Sequence, residues 1–222
     1  MLELIAPIAL SLAAILAVTS QCRKPRWWLG RLFLWIMNRR HSALTDWAFE
    51  QLHIQNDLVV LDLGCGGGRT IQKLSESTAE RRVYGVDYSS TSVAVARQVN
   101  AGAIEAGRVD VRVASVTQLP FQDATFDLAT GVETHYYWPS LATDMREVLR
   151  VLKPGGRLAI IAESYRGGRF GILSGQAMKL LRAAYLTASA HRDLFLKAGY
   201  SDIAMFEQRD KGWLCVVGRR PR

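Results

Sequence analysis

The feature that most constrains this chain is the stretch VVLDLGCGGGRTI, residues 59–71, in which an apolar run is followed closely by four glycines. The apolar run around a single acid predicts a buried β-strand. Glycine has no Cβ, so the segment after the strand can turn tightly and let a ligand approach the backbone. A helix beginning near Gly67 would add free backbone N–H groups. The stretch therefore predicts a strand–turn–helix unit that binds a ligand at the turn.

The chain after residue 57 alternates between strand-like and helix-like segments. Strands are predicted near residues 58–64, 81–89, 108–115, 125–132, 155–164, 202–208 and 212–219. Helices are predicted near residues 67–77, 91–107, 144–152 and 191–200. This alternation predicts an α/β fold with a doubly wound, mostly parallel sheet. The last two strands are expected to close it as an antiparallel hairpin.

Two carboxylates indicate what kind of ligand the turn binds. Asp87 ends the second predicted strand, about 20 residues after Gly66, where an acid can accept hydrogen bonds from ribose hydroxyls. Asp62 stands two residues before Gly64, which suits a cationic ligand group better than a pyrophosphate. A dinucleotide fingerprint starting at Gly64 would need a small residue where Arg69 stands. A ligand with an adenosine and a positive end is favoured, and a nicotinamide-dependent oxidoreductase is the alternative.

Five segments of the sequence resemble, in order and spacing, the motifs of the class I S-adenosylmethionine-dependent methyltransferases of the methyltransferase domain 11 type. They are VLDLGCGGG (60–68), VYGVDYS (83–89), VASVTQLPF (113–121), FDLATGVE (126–133) and LRVLKPGGRLAI (149–160). The resemblance implies a Rossmann-like, seven-stranded sheet and S-adenosyl-L-methionine as the cofactor. It also implies an enzyme that methylates a small, apolar or lipid-like acceptor. A catalytically weak cofactor-binding scaffold remains a second alternative.

The resemblance also implies roles for individual residues. Asp62 would contact the amino group of the methionine moiety, Gly64 and Gly66 would make room for it, and Asp87 would hold the ribose. Cys65 lies in the same loop as a small filler and has no expected role as a nucleophile. The other cofactor-binding residues implied are Tyr88 along the adenine, Ser115 near the adenine amino group, Val116 beside the adenine and Gly131 at the methionyl end.

Candidate catalytic residues come from the loop after the fourth strand, GVETHYYWPS (131–140), which faces the methyl donor in this fold. His135 is the predicted general base, because an ordinary histidine pKa lies near 6.5; the alternative is a solvated loop histidine. Glu133 is placed beside the transferred methyl, and His41 would reach it from a helical lid. The cleft is expected to be completed by Tyr136, Tyr137, Trp138, Met37, Trp47, Glu163 and Tyr165.

The N-terminus differs from the rest of the chain. Residues 4–18 carry no charge and are followed by Arg23, Lys24 and Arg26, the pattern of a membrane anchor with a cytoplasmic catalytic domain. The run falls slightly short of the usual span of about 20 residues, so a buried helix is the alternative. We therefore predict an apolar anchor helix over 1–22, an interfacial helical segment and possible lid over 23–56, and the methyltransferase domain over 57–222.

Composition limits the remaining partners and sites. The net charge of +8 is spread along the chain, and the place after the fourth strand has no nucleic-acid methyltransferase motif, so no nucleic acid is expected. The three cysteines are odd in number and lack CxxC spacing. This pattern argues against a disulfide framework or a zinc site, and no metal site is predicted.

Overall fold

The computed structural model describes residues 20–76, 82–168, 171–181 and 183–222. The strands are β1 (Val59–Leu63), β2 (Arg82–Asp87), β3 (Val109–Val113), β4 (Phe126–Val132), β5 (Leu152–Ala162), β6 (Ser201–Gln208) and β7 (Trp213–Arg219). The helices are α1 (Trp27–Arg40), α2 (Ser42–Leu52), α3 (Arg69–Glu76), α4 (Ser90–Val99), α5 (Ala101–Glu105), α6 (Leu141–Val151), α7 (Gly171–Leu180) and α8 (Ala188–Ala198). A 3₁₀ turn covers His135–Tyr137.

The strands form one seven-stranded sheet in the order β3-β2-β1-β4-β5-β7-β6. Strands β1 to β5 pair in parallel, and β7 is antiparallel to both β5 and β6. The predicted fold class is thereby confirmed, including the C-terminal antiparallel hairpin. The strand order reverses at β1, whose neighbours are β2 and β4, and ligands of such sheets bind beyond the strand ends at this point.

Both faces of the sheet are covered, which explains why β1 is apolar on both sides. Leu61 and Leu63 belong to one buried cluster, with Met145 of α6 and Phe195 of α8. Val60 belongs to the cluster on the other face, which includes side chains from α2, α3 and α4. Successive residues of a strand point to opposite faces, so the continuous apolar run fits a strand buried between two helical layers.

The helix predicted over 91–107 is interrupted at Asn100, and the single-helix prediction is wrong. The Asn100 side-chain amide donates to the carbonyl oxygens of Gly68 (3.0 Å) and Ala96 (2.8 Å). Its backbone has φ −106° and ψ 19°, outside the helical region. The side chain thus ties the end of α4 to the glycine loop, a contact made across about thirty residues that a helical pattern does not reveal.

The N-terminal segments differ in how far the structure describes them. Residues 1–19, which hold the apolar run of the predicted anchor, lie outside the described residues. Among the residues that are described, no helix combines the length and the apolar composition needed to cross a bilayer. Residues 20–23 are helical, and α1 and α2 then precede β1.

Candidate cofactor and acceptor site

The loop after β1 is held in a conformation that requires glycine. Gly64 has φ +68° and Gly66 has φ +50°, both in the left-handed region. The Gly64 and Cys65 amides donate to the Val86 carbonyl, at 2.8 and 3.0 Å, which fixes the loop against β2. A Cβ on Gly64 would lie 2.7 Å from the Thr134 side chain. Position 64 therefore has no room for a side chain, because Thr134 packs directly against it.

Asp62 presents a buried carboxylate with an unused oxygen. Its Oδ1 accepts a hydrogen bond of 2.9 Å from Thr130 Oγ1. Its Oδ2 is buried and has no hydrogen-bond partner among the described residues. Burial raises the pKa of Asp62 to about 7, with a smaller contribution from the charge of Asp87 and a partial offset by Thr130. A buried acceptor without a partner is costly, so this oxygen fits a cationic or N–H-bearing ligand group.

Asp87 lies at the end of β2 and is fixed by the backbone around it. Its Oδ2 accepts from the Gly66 amide at 3.0 Å and its Oδ1 from the Ser89 amide at 2.8 Å. Burial raises the pKa of Asp87, while these two hydrogen bonds act in the opposite direction. The carboxylate keeps further acceptor capacity for a pair of ribose hydroxyls, because each oxygen has two lone pairs.

The residues predicted beside an adenine lie near Asp87. Tyr88, Ser115 and Val116 line the cavity, and the Tyr88 hydroxyl donates to the backbone oxygen of Arg23. Ser115 Oγ accepts from Thr117 Oγ1 at 2.8 Å. Gly131 does not line the cavity; it lies inside β4, where a Cβ would be 3.2 Å from Ile160. Its predicted place at the methionyl end is corrected to a packing position, and Thr134, which donates to the Leu63 carbonyl, lines the cavity nearby.

Helix α1 forms a roof over this site. The cavity is lined by three residues of this helix, Leu34, Met37 and Asn38. Asn38 Nδ2 donates to the Gly67 carbonyl at 3.0 Å, which joins the roof to the glycine loop. Met37 therefore reaches the cleft, as expected. Trp47 does not: it packs against Trp213 of β7, with ring centroids 5.8 Å apart.

Glu133 lies at the other end of the cavity, just after β4. Its Oε1 accepts hydrogen bonds from the Tyr136 hydroxyl (2.9 Å) and the Glu163 amide (2.5 Å), which leaves Oε2 for other partners. Burial raises the pKa of Glu133 to about 8, and the nearby Glu163 charge contributes in the same direction. The backbone has φ +58°, which non-glycine residues rarely adopt. Glu133 is thus a carboxyl group fixed by two hydrogen bonds, with a pKa well above its ordinary value.

His41 and Glu163 complete a cluster with Glu133. His41 Nε2 lies 4.0 Å from Glu133 Oε2 and 3.9 Å from Glu163 Oε1. Burial lowers the pKa of His41, although the Glu163 charge opposes this. One ligand atom from each of the three residues lies within 4.8 Å of the others, a spacing that could hold a cation. However, the Arg40 guanidinium already bonds Glu163 Oε1 at 2.8 Å, so acid–base chemistry fits the cluster better than metal binding.

His135 lies away from the cavity, which corrects the prediction that it is the general base. The imidazole is buried, and its Nε2 is 3.0 Å from His191 Nε2 of α8. Burial and the neighbouring histidine hold the pKa of His135 well below its usual value. The solvated-loop alternative is wrong as well. Tyr165 is also displaced from the expected cleft wall: it is buried and donates to Glu207 Oε2 at 3.1 Å.

One cavity of about 750 Å³ connects the carboxylate end with the His41 cluster. Apolar and aromatic side chains also line this cavity: Phe33, Leu34, Met37, Tyr136, Tyr137, Trp138, Met178 and Leu181. A volume in this range is typical of small-molecule sites, which combine apolar walls with a few polar groups. The sequence did not predict three residues of the site, because each acts through a partner that is distant in the chain. They are Thr130, Asn38 and Arg40.

Comparisons with known proteins find similar methyltransferase sequences. The family described as "Methyltransferase domain" matches residues 61–160. The chain is 38% identical over 115 residues to a demethylmenaquinone methyltransferase of Lactiplantibacillus plantarum, covering 51% of this chain and 48% of that protein. It is 34% identical over 101 residues to the O-methyltransferase resE of Aspergillus sclerotiorum, covering 46% of this chain and 38% of that protein.

Solved structures show the same fold. The geranyl diphosphate C-methyltransferase of Streptomyces coelicolor A3(2), in complex with Mg²⁺, geranyl diphosphate and S-adenosyl-L-homocysteine, superposes with a TM-score of 0.67 at 17% identity. The superposition covers 82% of this chain and 80% of that one. In the sequence comparisons above, by contrast, the matched part spans less than half of the length of each relative.

Proposed function

We propose that this chain, which contains a class I S-adenosylmethionine-dependent methyltransferase domain, methylates a small apolar or lipid-like acceptor that has an ionisable hydroxyl or an acidic carbon. The domain type and the cofactor predicted from the sequence are confirmed by the domain match and the methyltransferase relatives. The observation that carries the proposal is the continuous cavity, with the buried Asp62 and Asp87 at one end and Glu133 with His41 at the other.

The residues at the carboxylate end fit the cofactor. Asp62 Oδ2 would take its ammonium group and Asp87 its ribose diol, and the open space beside Gly66 would admit it. Tyr88 lines the same end of the cavity. When bound, S-adenosylmethionine supplies a methyl group that is already activated for transfer. The protein's main contribution is then to hold acceptor and donor in line.

Glu133 is the proposed general base. An acceptor that loses a proton on methylation needs a group to take it, and a base is most effective when its pKa lies near the working pH. Glu133 Oε1 is fixed by two hydrogen bonds, so Oε2 is the atom proposed to receive the proton. His41, neutral because its pKa is lowered, would donate or accept a hydrogen bond to orient the acceptor.

The apolar wall supports the acceptor class. Apolar side chains line the same cavity as Glu133, among them Phe33, Leu34, Met37 and Met178. Ligand sites of this kind usually bury apolar ligand surface. The relatives named above include a demethylmenaquinone methyltransferase, whose name denotes such an apolar acceptor. For this chain we propose the acceptor class and not an individual compound.

Membrane association of the N-terminus is part of the same proposal. The uncharged residues 4–18 and the basic residues after them favour an anchor, with the catalytic domain on the cytoplasmic side. An acceptor of low water solubility would then reach the cavity from the membrane. The sequence pattern and the apolar cavity wall support this arrangement.

Methyl-labelled cofactor tests the proposal directly. The full chain is incubated with it and with a panel of apolar phenols and quinols that differ only in the presence of a prenyl chain, and the organic extract is analysed by mass spectrometry. We expect label in the prenylated product, and much less with Glu133→Gln. Methylation confined to water-soluble compounds would overturn the acceptor class, and no methylation by a chain that binds the cofactor would favour the scaffold alternative.

A further inference from the structure

Helix α1 exposes an apolar stripe that is separate from its roof face. Trp28, Leu32, Trp35 and Ile36 are exposed by 74%, 48%, 55% and 43%. Their spacing of four, three and one residues places them on one side of the helix. We call these four residues the outer face of α1. Large apolar side chains exposed together mark an interaction surface more often than a free surface.

The opposite side of the same helix belongs to the cavity. Gly30 and Leu34 are buried, Met37 lines the cavity, and Asn38 is hydrogen-bonded to the glycine loop. Any surface that binds the outer face therefore lies one helix diameter from the proposed acceptor site. Docking there would hold α1 against a ligand bound in the cavity.

Charge indicates which partner fits the outer face. Residues 20–45 contain six Lys or Arg and no Asp or Glu. Arg23, Lys24 and Arg26 lie exposed just before α1, and the Arg39 guanidinium lies 5.0 Å from the Trp35 ring centroid. Tryptophan beside arginine on an apolar stripe suits the headgroup region of an anionic bilayer, where an indole keeps its N–H near water. Each basic residue near such a surface adds attraction.

We propose that the outer face of α1 docks on the surface of an anionic phospholipid bilayer. The apolar residues 4–18 precede this face by about ten residues, so an anchor there would hold α1 at the same membrane surface. Docking itself is independent of catalysis. Its consequence, that an apolar acceptor enters under α1 directly from the bilayer, rests on the proposed function.

Quenching by brominated lipid in vesicles tests the docking with the full chain. The variant Leu32→Ser/Ile36→Ser keeps every tryptophan and removes two apolar side chains of the outer face. The matched control, Val113→Ser/Leu196→Ser, changes two side chains that are comparably exposed on β3 and α8. Vesicles are made of phosphatidylcholine alone or of equal parts of phosphatidylcholine and phosphatidylglycerol.

We expect strong quenching of tryptophan emission on the anionic vesicles only. The outer-face variant should bind these vesicles with an affinity about tenfold lower or more, and the control should bind them as the wild type does. Equal quenching of the wild type and the outer-face variant would overturn the proposal even if residues 4–18 keep the protein on the vesicles. The proposal would also be overturned if the wild type formed a dimer in vesicle-free solution and the outer-face variant, but not the control, were monomeric. Cofactor affinity measured in parallel separates failure of docking from failure of the proposed function, since neither substitution touches Asp62 or Asp87.

Discussion

His135 Nε2 lies 3.0 Å from His191 Nε2, and both rings are buried between the loop after β4 and helix α8. His191 Nδ1 lies 2.8 Å from the Thr187 carbonyl, which can only accept, so His191 carries its proton on Nδ1. Its Nε2 must then accept from the Nε2–H of His135. The pair is stable only while both rings are neutral, because a second proton has no acceptor at the shared position.

This pair is predicted to destabilise the protein in acid. Burial lowers the pKa of both histidines, so below about pH 6.5 the unfolded chain binds protons that the folded chain excludes. Each histidine then removes up to about 1.4 kcal/mol of folding free energy per pH unit as the pH falls. Replacing His135 with Gln should reduce this dependence between about pH 6.5 and pH 5, measured by urea unfolding at several pH values. The exposed His53→Gln serves as control, and an unchanged slope in His135→Gln would contradict the assignment.

Cofactor binding should release a proton from Asp62. Its pKa is raised to about 7 in the free protein, and an ammonium group beside it stabilises the charged form. Affinity should therefore rise with pH up to about 7 and then level off. Calorimetry in buffers of different ionisation enthalpy measures the proton release directly. Asp62→Asn should bind the cofactor more weakly and release fewer protons on binding. If it released as many protons as the wild type, the proton would come from another group.

Asp87 should contribute to cofactor affinity. Hydrogen bonds to a charged carboxylate contribute about 1.5 to 3 kcal/mol, so Asp87→Ala should weaken S-adenosylmethionine binding by roughly 10- to 150-fold. Isothermal titration measures the change, with the exposed Asp110→Ala of β3 as control. If Asp87→Ala bound S-adenosylmethionine with wild-type affinity, the proposed contact between Asp87 and the ribose would be wrong.

Gly64 should tolerate no side chain, whereas Gly102 should. At Gly64 a Cβ meets Thr134 at 2.7 Å and φ is +68°, so Gly64→Ala should lower both cofactor affinity and melting temperature. At Gly102, inside α5, a Cβ meets nothing within 4 Å. Gly102→Ala should therefore stabilise the protein by about 0.4 to 1 kcal/mol. Thermal unfolding of the two variants with and without cofactor tests the contrast; a neutral Gly64→Ala would contradict it.

Glu133 should control the pH dependence of methylation. A base with a pKa of about 8 is charged only as the pH rises past that value, so kcat/KM should increase with pH through this range. Glu133→Gln should lower turnover by about 10²- to 10⁴-fold and flatten the profile while cofactor affinity stays nearly constant. His135→Gln, if folded, should keep the wild-type profile. If His135→Gln flattened the pH profile and Glu133→Gln kept it, the general base would be His135.

The sequence by itself determined the sheet and placed the glycine loop, Asp62 and Asp87 at its strand ends. Apolar runs punctuated by glycine predict strands and turns through short-range sterics, which is why β1, its glycine loop, Asp62 and Asp87 were all predictable. These residues lie at strand ends, where the topology of a parallel sheet leaves little choice of position.

Only the tertiary structure decided which side chains meet at the acceptor end. Glu133, His135 and Tyr136 lie within four residues of one another, yet the positive φ of Glu133 and the 3₁₀ turn after it bring Glu133 and Tyr136 to the cavity and leave His135 against His191. The partners Arg40 and Glu163 are 123 positions apart. Such contacts, and the pKa shifts that burial causes, depend on packing between distant segments, which local sequence patterns do not encode.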